Sequence, residues 1–423
     1  MLRLVELHVR KFRDLVDGGP LRFGPGPVFL LGPNGSGKTT LLELIGVLLG
    51  DDLGPLFKEE DAVELSWVLE AEGEGETPTT RLEMSLSIDA VPRPSADERT
   101  SRRARRGWRA SGVLPARSED EQTITFQQDE KGVIHFETTK KQALVMPGLS
   151  LSAHERGWLV ELSLACSMLE KKLAEPRRVS ERFLPFEHQF FVESLRRFDE
   201  ALAQFDLIVG SRDQAVEIEE QDEQIKFSHD LPNWVLLPTD DNTTHRDDHT
   251  DLILLTRLLG ADRVEFRPRL VSDDGRGRRR WRGFDIYVHW DGGAIHHHSQ
   301  LSFGQKRLIA LVWHIGLNPE LPLLTDEMTN GLHAGWVRAI IDHIGPRQGF
   351  HAVQNPLLLD RYGPGEQAED IAGRFVICTV EPGERGRQWR WRSPTTVECE
   401  RLWRAYLAGF QHLSELLVSE GLW

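Results

Sequence analysis

A glycine-rich stretch near the start of the chain has the residue types and spacing needed to hold phosphate groups. It covers residues 28–46, VFLLGPNGSGKTTLLELIG, and the pattern G-x-x-x-x-G-K-[ST] is filled by Gly32, Gly37, Lys38 and Thr39. Glycines permit positive φ angles and bring consecutive N–H groups close to a β-phosphate, while the N-terminus of the following helix adds positive charge. We expect Lys38 to bridge the β- and γ-phosphates and the Thr39 hydroxyl to bind Mg²⁺.

The segments that flank this loop predict the elements that position it. Residues 28–31 are wholly apolar, as in a buried strand, and Leu41, Leu42 and Ile45 recur at helical spacing. The alternative is a glycine-rich turn that carries its lysine by chance, and these flanks disfavour it. The candidate nucleotide-binding residues of the loop are Asn34, Gly35, Ser36, Gly37, Lys38, Thr39 and Thr40.

A pair of adjacent carboxylates follows a second apolar segment. Residues 321–327 read LPLLTDE, which predicts a buried strand that ends at Asp326 and Glu327. Asp326 is the candidate Mg²⁺ ligand, and Glu327 is the candidate general base that polarises an attacking water. The alternative is that the carboxylates only cap a helix after a core strand.

The segment LSFGQ, residues 301–305, opens a run with helical periodicity. It closely matches the LSGGQ signature of ABC-type ATPases, with Phe303 in place of the first glycine. The resemblance implies that the helix start at Ser302, Gly304 and Gln305 binds the γ-phosphate held by the opposite subunit. We expect Phe303 to change the packing more than the phosphate contact.

Two further segments resemble RecF-like and OLD-like ATPases. Residues 327–333, EMTNGLH, resemble an E-x-x-N-G-L-H run, which makes Asn330 and His333 candidate interface residues. Residues 354–360, QNPLLLD, resemble the switch segment T-H-S-P-L-L-L-D, with Gln354 in place of the switch histidine. Glutamine can hydrogen-bond a γ-phosphate or a water but has no titratable proton, so we expect slow or partner-dependent turnover. The candidates for the Q-loop glutamine are Gln142, Gln127 and Gln128.

Together these motifs resemble, over nearly the whole chain, the ABC-type ATPases related to RecF, SMC and the OLD proteins. The resemblance implies an α/β P-loop NTPase of ABC type with an antiparallel β subdomain and a helical insertion. It also implies ATP and Mg²⁺ as cofactors, a nucleotide contact by Arg13, and a head-to-tail homodimer, with higher oligomers left open. Stand-alone prokaryotic members occur in anti-phage defence systems and retrons. Because only a short segment follows the switch, we expect no Toprim nuclease domain, and a nuclease or toxin effector as a separate protein.

The order of the motifs predicts how the chain is organised. An N-terminal ATPase lobe is expected over residues 1–150, a helical insertion over 151–235, and a C-terminal ATPase lobe with the signature, Walker B and switch segments over 236–423. Alternating patterns predict an edge strand at the N-terminus, strands over 64–71 and 81–89, hairpins over 124–136 and 264–290, and a C-terminal helix around 402–413.

The composition suits a globular protein with a large core, since 39% of the 423 residues are hydrophobic and the net charge is −15. The chain has no apolar run long enough to span a bilayer, and its N-terminus alternates like a strand, so we expect a cytoplasmic protein without membrane contact. Net acidity disfavours indiscriminate binding to nucleic acid but is compatible with a local basic patch. Scattered cysteines indicate core thiols, namely Cys166, Cys378 and Cys399.

Two arginine-rich segments interleaved with tryptophan leave three interpretations open. Residues 92–120, around Trp108, predict a mobile loop, and residues 276–282, around Trp281, connect two predicted strands. Such segments serve as solvated loops, as contacts for nucleic acid, or as contacts for protein. The histidines at 296–298 could ligate a metal, but adjacent imidazoles on an extended chain point to alternating faces, which favours a polar strand end.

The leading hypothesis is an ATP-hydrolysing ABC-type ATPase whose nucleotide-dependent head-to-tail dimer regulates a separate effector in anti-phage defence. One alternative is a RecF-like DNA-binding repair ATPase, with salt-sensitive DNA binding through the arginines around residues 102–106. The other is an ATP-dependent scaffold that scarcely hydrolyses. Equal phosphate release by the unmodified chain and by Glu327→Gln would favour the scaffold.

Overall fold

The fold was derived from a computed structural model that describes residues 2–49, 56, 59–71, 80–90, 108–114, 124–128, 134–138, 144–145, 206–209, 250–273, 279–317, 321–354, 358–383 and 386–423. The chain divides into two compact units that interleave along the sequence. The first unit collects Met1–His188, Glu320–Met328 and Pro346–Trp423, and the second collects Gln189–Pro319 and Thr329–Gly345. Segments of both predicted ATPase lobes therefore contribute to the first unit.

The strands of the described ranges are numbered in chain order. They are β1 (Leu2–Lys11), β2 (Leu15–Val16), β3 (Leu21–Arg22), β4 (Pro27–Leu31), β5 (Val63–Ala71), β6 (Thr80–Ile88), β7 (Trp108–Leu114), β8 (Ile124–Gln128), β9 (Ile134–Thr138), β10 (Leu144–Val145), β11 (Asp206–Val209), β12 (Arg263–Asp273), β13 (Arg279–His289), β14 (Ile295–His297), β15 (Leu323–Asp326), β16 (Gly349–Ala352), β17 (Phe375–Gly383) and β18 (Gly386–Arg392).

The α-helices are short to medium in length. They are α1 (Lys38–Leu49), α2 (Thr250–Leu259), α3 (Phe303–Leu317), α4 (Ala334–Ile344), α5 (Leu359–Tyr362), α6 (Ala368–Arg374), α7 (Thr396–Leu407) and α8 (Leu413–Ser419). Among the helices of the described ranges, none combines the length and the apolar character that crossing a membrane requires.

A six-stranded sheet of the first unit positions the candidate site. Its order is β15-β16-β4-β17-β18-β2, and β15, β16, β4 and β17 run parallel. All five residues of β4 are buried, and Phe29 packs against Tyr362 and Phe375. Because parallel strands end at the same edge, the segments after β4, β15 and β16 meet there. This arrangement confirms the predicted α/β P-loop fold of ABC type.

The antiparallel β subdomain is an eight-stranded sheet with the order β10-β9-β8-β7-β6-β5-β1-β3. The strands predicted over 64–71 and 81–89 and the hairpin over 124–136 are confirmed as β5, β6 and β8–β9. The prediction of an N-terminal edge strand is wrong, because β1 pairs with β5 on one side and with β3 on the other. A bulge between Leu4 and Glu6 moves the buried positions from Leu4 to Leu7 and Val9, which explains the poor alternation in the sequence.

Two other predictions for the first unit are corrected. Part of the expected loop over residues 92–120 is β7, whose backbone pairs with β6 and β8 despite turn-prone neighbours. The rest of that segment, including the arginines at 102–106, lies outside the described residues. The single C-terminal helix is two helices, because Gly409, with a φ of 72°, separates α7 from α8.

The described residues of the second unit include a smaller sheet and the helices α2, α3 and α4. Its strands have the order β11-β13-β12, with β14 also paired to β13. The predicted pair over 264–290 is confirmed, but β13 begins at Arg279, so several residues of the expected arginine-rich connection belong to a strand. Phe266 packs against Trp313 of α3 with ring centroids 5.4 Å apart. The His343 imidazole of α4 lies 2.5 Å from the Asp251 carboxylate of α2.

Several expectations fall on residues without a described structure. The helical insertion over 151–235 is one of them, apart from Asp206–Val209, which form a strand paired with β13. Cys166 also lies outside the described ranges. Cys378 and Cys399 are buried thiols, as predicted.

One buried amide joins the two sheets of the first unit. The Gln348 side chain, in a residue only 1% exposed, accepts a hydrogen bond from the Leu4 N–H at 2.9 Å. It also donates to the carbonyl oxygens of Leu4 and Gly24, at 2.9 and 2.7 Å. Gln348 directly precedes β16 of the six-stranded sheet, and Leu4 belongs to β1 of the eight-stranded sheet. The Gln348 side chain therefore provides hydrogen-bond partners for backbone groups of the other sheet.

Replacing Gln348 by methionine should lower the free energy of unfolding by about 3 kcal/mol, because two buried backbone groups of Leu4 and the part-buried Gly24 carbonyl lose a partner while the volume is kept. Chemical denaturation followed by circular dichroism measures the change. Gln411→Met, at an exposed position between α7 and α8, is the matched control and should change stability by less than about 0.5 kcal/mol. Equal stabilities of the two variants would contradict the structural role of Gln348.

Candidate functional site

The glycine-rich loop has the backbone shape that the sequence predicts. Gly32, Gly35 and Gly37 have φ values of 138°, 79° and 82°, which favour glycine. A Cβ at Gly32 would lie 2.0 Å from the carbonyl oxygen of Cys378 in β17, so this position also needs glycine for space. α1 starts at Lys38 without an acidic residue in its first turn. The first turn of the helix itself therefore adds no negative charge to the positive end of its dipole, which favours an anion there.

The Lys38 ammonium is held inside the loop. It donates to the carbonyl oxygens of Gly32 and Pro33, at 2.7 and 3.1 Å. Burial lowers the pKa of Lys38, while nearby Cys378, Asp326 and Glu327 act in the opposite direction. The charge therefore lies in a partly desolvated position, where its attraction for a phosphate is stronger than in water.

Ser36 supplies a second buried polar group. The residue is 1% exposed, and its Oγ finds no hydrogen-bond partner among the residues described. Asn34 and Gly35 are exposed at the tip of the loop, and Thr40 is half-buried in the first turn of α1. A buried hydroxyl without a partner is rare in folded proteins, and in a phosphate-binding loop it suits an anionic oxygen.

The two predicted Mg²⁺ ligands are in direct contact. The Thr39 hydroxyl, in the first turn of α1, donates to Asp326 Oδ2 at the end of β15, at 2.8 Å. Both groups are oxygen donors, which is the ligand class that Mg²⁺ prefers, and both residues are half-buried. The donor set therefore fits a magnesium ion bound between α1 and β15.

Glu327 follows β15 in an uncommon backbone conformation. Its φ is 52°, a region rarely adopted by residues other than glycine, and such strain clusters at functional sites. Its N–H donates to the Ala352 carbonyl of β16 at 2.9 Å. The side-chain amide of Gln354 donates to Glu327 Oε1. The predicted general base and the predicted switch residue are thus brought together at the sheet edge.

Arg13 has a carboxylate partner that the motifs did not indicate. Its guanidinium makes a bidentate contact with Glu59, at 3.0 and 2.6 Å, and lies 4.9 Å from the centroid of the Phe12 ring. The hydrogen bond to Glu59 raises the pKa of Arg13. The nucleotide contact of Arg13 stays a prediction.

The signature residues belong to the second unit, at the start of α3. Ser302 and Gln305 form a capping box, in which the Ser302 N–H donates to Gln305 Oε1 at 2.9 Å and the Gln305 N–H donates to Ser302 Oγ at 3.4 Å. Ser302 is exposed. The sequence therefore builds a capped, accessible N-terminus on a helix of 15 residues.

The segment at 329–333 packs on the signature. A Cβ at Gly304 would lie 2.8 Å from the Gly331 carbonyl oxygen, and a Cβ at Gly331, whose φ is 73°, would lie 2.5 Å from Phe303 Cε1. Phe303 is 65% exposed but covers Gly331 with one edge of its ring. This agrees with the packing role predicted for Phe303. His333 is the N-cap of α4, since its Nδ1 accepts from the Gly335 N–H at 3.1 Å.

The histidine run shows a possible ligand cluster whose nitrogens are already engaged. Atoms of Asp285, His297 and His298 lie within 4.8 Å of one another. However, His298 Nδ1 accepts from the Ile286 N–H at 3.2 Å, and the two ring nitrogens of His297 contact Asp285 and Ser299, at 3.3 and 2.8 Å. Because the nitrogens named here are already engaged in hydrogen bonds with protein groups, the contacts support a polar strand end.

Sequence motifs missed two residues that touch the loop. Trp389 and Trp391 of β18 hydrogen-bond its carbonyl groups. The only signal for them is the short alternation WRW, far from the loop in sequence. Among the Q-loop candidates, Gln127 and Gln128 belong to β8, and Gln142 lies outside the described residues.

A comparison with protein families decides the classification. The profile described as AAA domain (AAA_23) matches residues 6–229, more than half of the chain. The chain belongs to this family. The match covers the glycine-rich loop of the AAA domain and ends before the signature and the carboxylate pair.

Similar proteins include RecF and the head domains of SMC proteins. The DNA replication and repair protein RecF of Magnetococcus marinus is 49% identical over 47 residues, which are 11% of this chain and 12% of that relative. The SMC head domain from Thermotoga maritima aligns over 92% of this chain and 98% of the SMC chain, at 11% identity and a TM-score of 0.37. The structure of RecF with ATP aligns over 84% of this chain and 92% of the RecF chain, at 14% identity and a TM-score of 0.31. Scores this low transfer neither activity nor residue roles.

A fully buried histidine lies in β16, the strand that leads to Gln354 of the candidate site. His351 of β16 has its Nδ1 2.7 Å from the Thr325 hydroxyl of β15. Its Nε2 has no hydrogen-bond partner in the described part of the chain. Burial, aided by the positive charge of Arg347, lowers the pKa of His351 from 6.5 to about 4. The folded chain therefore keeps this imidazole neutral under conditions in which the unfolded chain protonates it.

Stability should fall as the pH is lowered from about 6.5 to about 4, because only the unfolded chain takes up a proton at His351 in that window. The loss from this residue amounts to about 3 kcal/mol. Denaturant unfolding at several pH values should show a flatter pH dependence for His351→Gln than for the unmodified chain, whatever its stability at pH 7. His296→Gln, at an exposed position, should keep the steeper dependence. Parallel curves for all three chains would contradict a neutral His351.

Proposed function

We propose that this chain is an ATP-binding and ATP-hydrolysing ABC-type ATPase. The observation that carries the proposal is the hydrogen bond between Thr39 and Asp326, since it joins the phosphate-binding loop to the carboxylate pair. Each motif alone is compatible with a structural role. Their meeting at one edge of a parallel sheet, with Glu327 and Gln354 adjacent, is the arrangement that phosphoryl transfer to water needs.

Each group of the site has a task in this proposal. The loop N–H groups and the Lys38 ammonium bind the phosphates and hold the γ-phosphate in line with an attacking water. Thr39 and Asp326 hold Mg²⁺, which when bound neutralises charge on the β- and γ-phosphates. Glu327 accepts a proton from the attacking water, and the Gln354 amide fixes the orientation of the Glu327 carboxylate.

The second half of the nucleotide site comes from another copy of the chain in this proposal. Support comes from the exposed Ser302 at the capped N-terminus of α3, which offers backbone N–H groups and a hydroxyl to an anion. The resulting head-to-tail homodimer regulates a separate effector, a nuclease or toxin, in anti-phage defence. The resemblance of residues 327–333 and 354–360 to RecF-like and OLD-like ATPases, whose stand-alone prokaryotic relatives occur in anti-phage defence systems, supports this role.

Glu327→Gln tests the enzyme. Phosphate release from Mg·ATP should fall by about 10²- to 10³-fold, because the base is lost while the ligands of the nucleotide remain. Light scattering after gel filtration with ATP should show twice the monomer mass for this variant, since ATP is bound but not consumed. Glu366→Gln, at an exposed position in the same unit, should behave as the unmodified chain does.

The outcomes separate the proposal from a scaffold. Equal phosphate release by Glu327→Gln and the unmodified chain would reject general-base catalysis and favour a scaffold that binds ATP without turnover. A monomer mass in every nucleotide state would reject the shared site while leaving hydrolysis to be judged by phosphate release.

A second candidate function is DNA binding, favoured by one face of the sheet in the second unit. Arg263, Arg267 and Arg269 alternate along β12 and are about half exposed, and they share the carboxylates of Glu265 and Asp285. Burial alone would raise the pKa of Glu265, but hydrogen bonds from Arg267, His289 and Arg263 lower it to about 2. Arginines outnumber carboxylates on this face, which suits a phosphate backbone, and the relative RecF is named as a DNA repair protein.

Arg263→Gln combined with Arg269→Gln tests this candidate. If both guanidiniums contact phosphates, the plot of log affinity against log salt for duplex DNA should become shallower by about two. Arg401→Gln combined with Arg404→Gln, on α7, is the matched control for the loss of two charges. An unchanged salt slope would remove β12 from any DNA contact.

A further inference from the structure

Two tryptophans of the hairpin β17–β18 contact the carbonyl groups of the phosphate-binding loop. Trp389 Nε1 donates to the Gly35 carbonyl oxygen at 2.9 Å, and Trp391 Nε1 donates to the Ser36 carbonyl oxygen at 3.2 Å. The two rings are stacked, with centroids 6.3 Å apart and an interplanar angle of 12°. Consecutive carbonyl groups of the loop are thus held by a matched pair of indoles.

The rings also fill the space beside the loop. A Cβ at Gly37 would lie 2.9 Å from Trp389 Cδ2 and 3.1 Å from Trp391 Nε1. Gly37 therefore has two reasons to be glycine, its φ of 82° and the rings packed against its Cα. The loop backbone cannot move toward β18 from this position, because interiors are closely packed.

Peptide geometry gives these contacts a direct effect on phosphate binding. In a planar trans peptide, the C=O of one residue and the N–H of the next point to opposite sides. Holding the Gly35 carbonyl toward Trp389 therefore turns the Ser36 N–H away from β18, and holding the Ser36 carbonyl toward Trp391 turns the Gly37 N–H away from it. The Ser36 N–H also donates to the Pro33 carbonyl oxygen at 3.3 Å, which closes a turn within the loop. These N–H groups belong to the loop that the G-x-x-x-x-G-K-[ST] pattern assigns to phosphates.

The hairpin that carries the indoles is itself fixed. Even-numbered residues of β18 point to the other face, where Arg392 makes a bidentate contact with Glu398 of α7, at 2.7 and 2.8 Å. Those hydrogen bonds lower the pKa of Glu398 to about 2. The Arg390 guanidinium donates a hydrogen bond to the Glu381 carboxylate of β17 at 2.7 Å. The backbone N–H of Trp389 donates to the Asp14 carbonyl oxygen at 3.0 Å. The indoles therefore project from a rigid support.

We propose that Trp389 and Trp391 are positioning residues for the nucleotide: their indole N–H groups hold the peptide groups of Gly35 and Ser36 so that the Gly37 N–H is presented to the phosphates. The proposal rests on the proposed nucleotide site and adds two residues to it. Preorganised donors bind an anion more tightly because the cost of ordering them is met when the chain folds.

Trp389→Phe and Trp391→Phe test the proposal, since each keeps an aromatic ring and removes one indole N–H. Isothermal titration calorimetry of the full chain with ADP, without magnesium, should give a Kd about 3- to 10-fold weaker for each variant. In Mg·ATP hydrolysis the loss should appear in KM rather than in kcat, because Asp326 and Glu327 are untouched. Trp403→Phe, on α7 and stacked on Tyr406, is the matched control and should leave both parameters unchanged.

A spectroscopic measurement separates positioning from a purely structural role. Addition of ADP should change the tryptophan emission of the unmodified chain and of Trp403→Phe, and the change should be smaller in Trp389→Phe and Trp391→Phe. A variant that only destabilises the fold would lower the active fraction, and so kcat, with an unchanged Kd.

The possible results are distinct. An unchanged Kd for ADP in both variants, with the unmodified chain binding ADP, would overturn the positioning role alone. Binding of ADP and ATP without phosphate release would overturn the proposed hydrolysis, while the affinities still decide the role of the indoles. Failure of the unmodified chain to bind either nucleotide would overturn both.

Discussion

The hydrogen bond from Thr39 to Asp326 is possible only because β4 and β15 end at the same edge of one sheet, separated by β16. The register is continuous across the three strands, with Asp326 beside Ala352 and Ala352 beside Leu30. These paired strands also position Glu327, Gln354 and Lys38. Glu327 is the first residue beyond β15, Gln354 is the second residue beyond β16, and Lys38 follows the loop that leaves β4.

The site combines satisfied and unsatisfied polar groups in a way that matches an anion. Lys38 has its own loop carbonyls as partners, whereas the Ser36 hydroxyl is buried with no partner within the described ranges. The strained φ of Glu327 is held by a backbone hydrogen bond to β16. The unpaired Ser36 hydroxyl and the strained Glu327 backbone both raise the free energy of the folded state. They lie where a ligand or a reacting water would offset that free energy, as expected for a preorganised site.

Local patterns were sufficient for the parts of the fold that depend on neighbours in sequence. The loop glycines, the buried strand β4 and the carboxylates after β15 follow from local sequence patterns. Long-range contacts were not predictable in this way. Pairing with β3 and β5 on both sides makes β1 an interior strand, and pairing with β6 and β8 makes β7 a strand despite turn-prone neighbours. The bonds of Trp389 and Trp391 to the loop, and of Arg13 to Glu59, likewise depend on the folded topology.

The strand order also determines when the first unit can be completed during synthesis. β4 emerges from the ribosome early, but its neighbours β16 and β17 lie far downstream, and Trp391 is 355 positions after the Ser36 that it contacts. All the residues between β4 and β16 must be translated before the five apolar residues of β4 gain either neighbour. During that interval the nascent chain carries an unpaired hydrophobic segment, which is the kind of intermediate that chaperones bind.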